Sequence, residues 1–149
     1  GRPDMAPMIF IDKILKGEEI TINNNGDHRR DFTYIDDIVS GIERVTETKP
    51  NPCENWNSFE PTPNSSSAPW KIYNLGRGKS IELLHFIEVV ERELGLKAKK
   101  VFAPLQTGDM IETFAEMSEF ENNFGKLEET DIESGIRELV KWFVDFYKI

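Results

Sequence analysis

The strongest periodic pattern lies near the end of the chain, where Ile132, Ile136, Leu139 and Phe143 repeat at helical spacing. Thr130 and Glu133 stand three apart at its start, the spacing of a capping box, so a final helix capped by Thr130 is predicted. A second amphipathic helix is predicted over Ser80 to Leu94, with Leu83, Ile87, Val90 and Leu94 on one face. Ser80 is its expected N-cap and Gly95 its stop. Residues 7–16 form a third, with Pro7 in the first turn and Gly17 after it. Its apolar residues, Met8, Ile9, Phe10, Ile11, Ile14 and Leu15, point to more than one side, so it requires burial on two faces. Ile38, Ile42 and Val45 mark a fourth helix capped by Asp36 or Asp37. Residues 117–124 make a short fifth, with Met117, Phe120 and Phe124 inward and Gly125 following.

Between these helices, Ile20-Thr21-Ile22, Lys71 to Leu75 and Lys99 to Phe102 have the pattern of short strands. Arg30 to Tyr34 is expected to be extended, and Asn23-Asn24-Asn25-Gly26 has turn chemistry. Residues 48–69 differ in character: five Pro, four Ser and four Asn among 22 positions predict a loop inserted between ordered segments. The expected fold class is therefore α/β in the mixed α+β sense, short strands with packed helices. One domain over residues 1–149 is expected, with the 48–69 loop inside it.

Composition narrows the functional classes. With 38% apolar and 30% charged residues, 149 residues suffice for one ordinary domain or half of something larger. Eighteen basic against 27 acidic residues give a net charge of −9, the wrong sign for nucleic acid or an anionic membrane as partner. Residues 111–149 hold ten acids and four bases, a net −6 that reads as a solvated acidic face. The longest strictly apolar run, Met8 to Ile11, cannot span a bilayer, and no signal-peptide pattern opens the chain. Cys53 stands alone, which excludes an internal disulfide and fits a reducing, cytoplasmic location. Gly1-Arg2-Pro3-Asp4-Met5 lacks an initiator Met and reads like the middle of a longer sequence, so a fragment is expected.

Catalytic equipment is sparse. His28, His85 and Cys53 have no zinc-ligand spacing, so no metal is expected, and His85 reads as a surface or interface residue. Four places after Tyr34 and Tyr73 come Ile38 and Arg77, and Tyr147 is too near the end, so these residues hold no Y-x-x-x-K pair. No serine is marked as a nucleophile beside a base, and no catalytic residue is assigned. Leu75-Gly76-Arg77-Gly78-Lys79-Ser80 imitates a phosphate loop. Its third glycine position is Ile81, however, and a Walker spacing would need glycine at Tyr73. A strand-to-helix turn is the expected reading.

Five segments taken together carry a resemblance: Gly1 to Ala6, Arg29-Arg30-Asp31-Phe32-Thr33-Tyr34-Ile35-Asp36-Asp37-Ile38, Ile72 to Gly76, Gln106-Thr107-Gly108-Asp109, and Thr130 through Ile136. In this order they resemble the C-terminal, substrate-binding part of extended short-chain dehydrogenase/reductases that act on nucleotide sugars. The opening G-R-P-D-M-A, the insertion ending Ser67-Ala68-Pro69-Trp70 and the Q-x-G-D motif are similar to the UDP-glucuronate 4-epimerase branch. The resemblance implies an NAD-dependent isomerase of carbohydrate metabolism and polysaccharide biosynthesis. NAD removes a hydride from the sugar C4, and the hydride returns on the other face. NAD and the Y-x-x-x-K pair belong to an N-terminal Rossmann domain not contained here, so this chain alone is expected to bind no cofactor and to be inactive. The alternatives are a stand-alone, non-catalytic binding or interaction module, or the same part of a nucleotide-sugar dehydratase or decarboxylase.

The resemblance also implies site residues, because UDP must be held firmly while the sugar turns. Arg30 is implied for the diphosphate, with Arg2 near the phosphates or the sugar carboxylate, as guanidinium forks match phosphate oxygens. Backbone groups at Ile22 and Asn23 are implied for uracil, and Asp109 for the ribose hydroxyls. Gln106 stands where many relatives place a second phosphate-binding Arg. Bland readings stand beside these: Arg30 paired with Asp31, Asp109 as a turn residue, Asn74 satisfying backbone groups, and Arg29 solvated or paired. Glu116 and Lys126 depart from the family pattern. A UDP-sugar is the expected partner. Apolar residues including Phe10, Ile11, Ile38, Ile42 and Val45 are expected to face a missing Rossmann domain or to drive self-association.

Overall fold

Helix α1 (Ala6–Leu15) needs two apolar neighbours, and the fold supplies both. Strand β1 (Glu19–Ile22) covers one side and helix α3 (Leu83–Leu94) another, in a computed structural model that describes residues 3–148. Met8, Phe10, Ile11 and Ile14 of α1 enter the core with Ile20 and Ile22 of β1 and Phe86, Ile87, Val89 and Val90 of α3. Helix α5 (Ile132–Tyr147) closes it with Ile136, Val140 and Phe143. Phe10 and Ile11 are thus buried, contrary to the expectation that they face a further partner. Phe32 stacks on Phe86 with ring centroids 4.5 Å apart and planes 9° from parallel.

These elements form one compact unit built from three stretches of chain: Gly1–Phe32, Lys79–Thr113 and Thr130–Ile149. In it β1 pairs in parallel with β4 (Lys99–Phe102), Ile20 opposite Lys100, and α3 makes the crossover between them. A two-residue antiparallel pair sets β2 (Arg29–Arg30) against β3 (Ile81–Glu82). Glu91, on the inner side of α3, is 3% exposed. Its carboxylate meets Lys100 Nζ at 2.8 Å and Lys97 Nζ at 2.9 Å, and accepts the Ala98 N–H at 2.9 Å. It therefore ties α3 to the start of β4.

The second unit comprises Thr33–Gly78 and Phe114–Glu129. It contains α2 (Ile35–Thr46) and α4 (Ser118–Phe124). Phe120 is fully buried, with Tyr73 edge-on at 6.5 Å and Phe124 at 5.2 Å. The proline-rich 48–69 stretch carries no helix or strand, only an isolated bridge from Ser65 to Lys71. On α2, Ile35, Val39 and Ile42 are exposed, whereas Ile38 and Val45, expected outward, are half-buried.

Four local expectations are corrected. Lys71 to Leu75 is not a strand: only Lys71 pairs, with Ser65. The Ile72 N–H donates to the Asn64 carbonyl at 2.9 Å, and no further pairing follows among the described residues. Ser80 does not cap α3; β3 intervenes, Glu82 takes the cap position, and the Ser80 hydroxyl bonds Glu112. Tyr34, not Asp36 or Asp37, is the N-cap of α2; both aspartates lie in its first turn, where negative charge favours the helix dipole. Asp131, not Thr130, caps α5, accepting the Ser134 N–H at 2.7 Å. The bonds from Ser134 hold the Asp131 carboxyl below its ordinary value. Asp131→Ala is expected to lower the melting temperature measurably while Glu133→Ala leaves it nearly unchanged, as differential scanning fluorimetry can check. Equal losses in the two variants would restore the Thr130/Glu133 box.

Among the described residues, no helix is long and apolar enough to cross a membrane. No group of three or more His, Cys, Asp or Glu among them is placed to hold a metal ion.

Candidate functional site

The site grows from the turn that precedes β2. Asn24 and Asn25 both adopt left-handed backbone (φ +51°), a conformation asparagine tolerates better than most residues. Gly26 follows at φ +87°, where a Cβ would stand 2.8 Å from the Leu84 side chain. This tight turn delivers His28, Arg29 and Arg30 into the pairing with β3. In extended chain, residues two apart share a face, so His28 and Arg30 point the same way.

Arg30 is held on four sides. Its Nη1 donates to the carbonyls of Arg29 and Ile111, each at 3.0 Å. Its Nη2 donates to Asp109 Oδ1 at 2.9 Å and meets His28 Nδ1 at 3.2 Å. All four Nη hydrogens are thus engaged, and among the described residues Nε–H has no partner. Asp109 reaches this point from a turn in which its N–H donates to the Gln106 carbonyl at 3.1 Å, with Gly108 at φ +85°. The Arg30 and Asp109 side chains are about 30% exposed, so their charge pair is open to solvent on one side.

The structure brings Arg30 and Asp109 together, with the backbone of Gln106 shaping the turn. The Gln106 side chain is exposed. Ile22 and Asn23 stand apart from this cluster in the hydrogen-bond network of the described residues. The Ile22 side chain is in the core and its carbonyl accepts the Ala103 N–H at 2.9 Å, while Asn23 Oδ1 is buried without a partner. Arg2 lies outside the described residues. Arg29 is paired rather than solvated, reaching Glu82 at 3.0 Å, Ser80 at 3.2 Å and Glu112 at 3.4 Å. His85 is a surface residue, 3.3 Å from Glu133. His28 is the residue the sequence reading missed. Weighed only as a zinc ligand, it is 4% exposed and touches Arg30; its signal was the alternate position to Arg30 in extended chain.

Comparison with known proteins places this geometry in a context. Residues 1–57 match the NAD dependent epimerase/dehydratase family. The chain is 38% identical over 148 residues to protein CapI of Staphylococcus aureus, covering 99% of this chain and 44% of that protein. It is 37% identical over 150 residues to a probable UDP-glucuronate 4-epimerase of Rhizobium meliloti, covering 99% and 44%. A UDP-glucuronic acid 4-epimerase of Bacillus cereus, solved with UDP-glucuronic acid and NAD, superposes with a TM-score of 0.77 at 25% identity. That match covers 98% of this chain and 41% of the other. The fold matches the C-terminal part of extended short-chain dehydrogenase/reductase structures. The chain spans less than half the length of the curated relatives it matches.

Among the described residues the segment most like a dinucleotide turn is Leu75 to Ser80, and it does not fit NAD. The Gly76 N–H is directed at Met117 Sδ at 3.2 Å, and the Arg77 N–H donates to Thr33 Oγ1 at 3.1 Å. A phosphate cradle requires such donors to be open. A Cβ at Gly78 would stand 3.3 Å from Met117 Cγ, so side chain already fills the space behind the loop.

Proposed function

We propose that this chain is the UDP-sugar-binding part of an NAD-dependent nucleotide-sugar 4-epimerase, acting on a UDP-hexuronate or UDP-hexose. The observation that carries the reading is the Arg30–Asp109 pair at 2.9 Å, formed by the two residues the family resemblance implies for diphosphate and ribose. The likeness to UDP-glucuronate 4-epimerases along nearly the whole chain supports it. The hydride step and NAD are assigned to residues beyond these 149, and the chain by itself to an inactive state.

The pair explains how a nucleotide enters. Without ligand, Asp109 occupies one Nη2 hydrogen of Arg30. A diphosphate oxygen, anionic and an acceptor, replaces the carboxylate there. Asp109 is then available to accept from ribose hydroxyls, so one ligand satisfies both halves of the broken pair. UDP is anchored through groups remote from the sugar, which leaves the sugar free to turn. Arg2, Gln106 and the Ile22–Asn23 strand end are assigned supporting roles at the phosphates and the uracil.

Calorimetric titration with UDP and with inorganic pyrophosphate tests this exchange. Wild type is expected to prefer UDP. Asp109→Asn, which relieves Arg30 of its carboxylate and weakens the ribose contact, should shrink that preference about tenfold. An unchanged preference would detach Asp109 from the site.

The exposed stripe of Ile35, Val39 and Ile42 on α2 also supports self-association of this chain into a small oligomer, with the net charge of −9 opposing unlimited growth. Light scattering behind a sizing column is expected to show it at high micromolar concentration. A clean monomer there would remove the proposal.

A further inference from the structure

We infer that His28 is a positioning residue whose neutral Nδ1 keeps the Arg30 guanidinium aimed after Asp109 has let go, an inference that rests on the proposed role of Arg30 at the diphosphate. A guanidinium only donates. Nδ1 lies 3.2 Å from Arg30 Nη2, while Asp109 Oδ2 stands 3.6 Å from it, outside hydrogen-bond distance, so we take Nδ1 as the acceptor with the ring proton on Nε2. Nε2 is buried with no hydrogen-bond partner among the described residues. An apolar side chain of similar size would avoid that cost, so stability does not account for histidine here.

Asp109 and His28 share the same nitrogen of Arg30 but differ in kind. Asp109 is anionic and part-exposed, and a phosphate oxygen can replace it like for like. His28 is buried and pinned through its backbone: its N–H donates to the Gly26 carbonyl and its carbonyl accepts the Leu83 N–H, both at 2.9 Å. It stays when a ligand arrives. Nη1 also stays, on the Arg29 and Ile111 carbonyls. Release of Asp109 then frees one Nη2 hydrogen for a phosphate oxygen, with Nε–H as a further donor. His28 thereby keeps the guanidinium of Arg30 oriented toward the ligand.

The test uses the 149-residue chain and three variants, His28→Leu, His28→Asn and Arg30→Ala. Ring 15N spectra of wild type should show Nδ1 bare and Nε2 protonated; a protonated Nδ1 overturns the inference. Calorimetry with UDP should show about tenfold weaker binding for His28→Leu. His28→Asn, whose amide oxygen can stand near the place of Nδ1, should recover most of that loss. Thermal unfolding of His28→Leu should match or exceed wild type, which separates grip from stability. Equal UDP affinity in wild type and His28→Leu, or no recovery in His28→Asn, overturns the inference.

A second readout needs no ligand. Rotation of the Arg30 guanidinium about Nε–Cζ, read from its Nη signals in an Asp109→Ala background that removes the competing carboxylate, should be slower with His28 or His28→Asn than with His28→Leu. If Arg30→Ala binds UDP like wild type, or wild type does not bind it, the proposed UDP site falls. The ligand-free readout then still decides whether His28 orients Arg30: rotation alike in all three proteins overturns it.

Discussion

Arg30→Ala is expected to weaken UDP binding by about 1.5–3 kcal/mol, roughly 10- to 150-fold, the largest functional effect of any single substitution in this chain. The loss exceeds that of one charge because the guanidinium serves four acceptors in the ligand-free state and would place two donors on phosphate in the bound one. Arg30→Lys is expected to fail nearly as badly. An ammonium keeps the charge, but it cannot hold two carbonyls, an imidazole and a phosphate in one plane. Isothermal titration of wild type and both variants decides the matter. Lysine matching arginine would show that the site reads charge alone, and alanine matching arginine would remove Arg30 from it.

Glu91 carries the largest expected effect on stability. Burial works against its charge, but hydrogen bonds from Lys100, Lys97 and the Ala98 N–H outweigh burial and bring the carboxyl from 4.5 down to about 2. That difference corresponds to roughly 3 kcal/mol of folding free energy. The sign follows from the lowered value: the contribution is complete above the unfolded-state value near 4.5 and is lost as pH falls from there through about 2. Glu91→Gln, similar in shape but uncharged, is expected to lower the melting temperature by roughly 6–12 °C at pH 7. The gap from wild type should close as pH approaches 2. A gap that stays constant with pH would mean that the carboxylate charge is not its source.

Much of this fold was legible as periodicity. The buried faces of α3 and α5 follow spacings of three and four, and Lys99–Phe102 needed only its apolar pair and the preceding glycine-closed helix. What failed was local chemistry at element ends. Thr130 and Asp131 are both good caps one residue apart, and only the fold decides whether Thr130 takes the Glu133 N–H or Asp131 the Ser134 N–H. Lys71 to Leu75 has strand composition, but a ladder also depends on a facing chain, and beyond the Ser65–Lys71 bridge none pairs with it among the described residues. In the candidate site, Arg30 and Asp109 were accessible through family motifs, although 79 residues separate them. His28 was not, because its meaning lies in a 3.2 Å approach to Arg30 that no motif encodes.

The three-stretch make-up of the first unit sets an order of assembly. Its core takes Phe10 and Ile11 from one stretch, Phe86 and Val90 from a second, and Ile136, Val140 and Phe143 from the last. A chain emerging from the ribosome can form α1 and β1 early, yet α1 lacks its helical cover until α3 has been synthesised, and α3 lacks its own until α5 follows. The whole second unit is made in the meantime, in the two intervals between those stretches. Closing such distant contacts costs loop entropy before any burial repays it, so the first unit is expected to be the slower to fold. Until α3 arrives Phe10, Ile11, Ile20 and Ile22 are open to other chains, and the apolar face of α3 then stays open until α5 covers it.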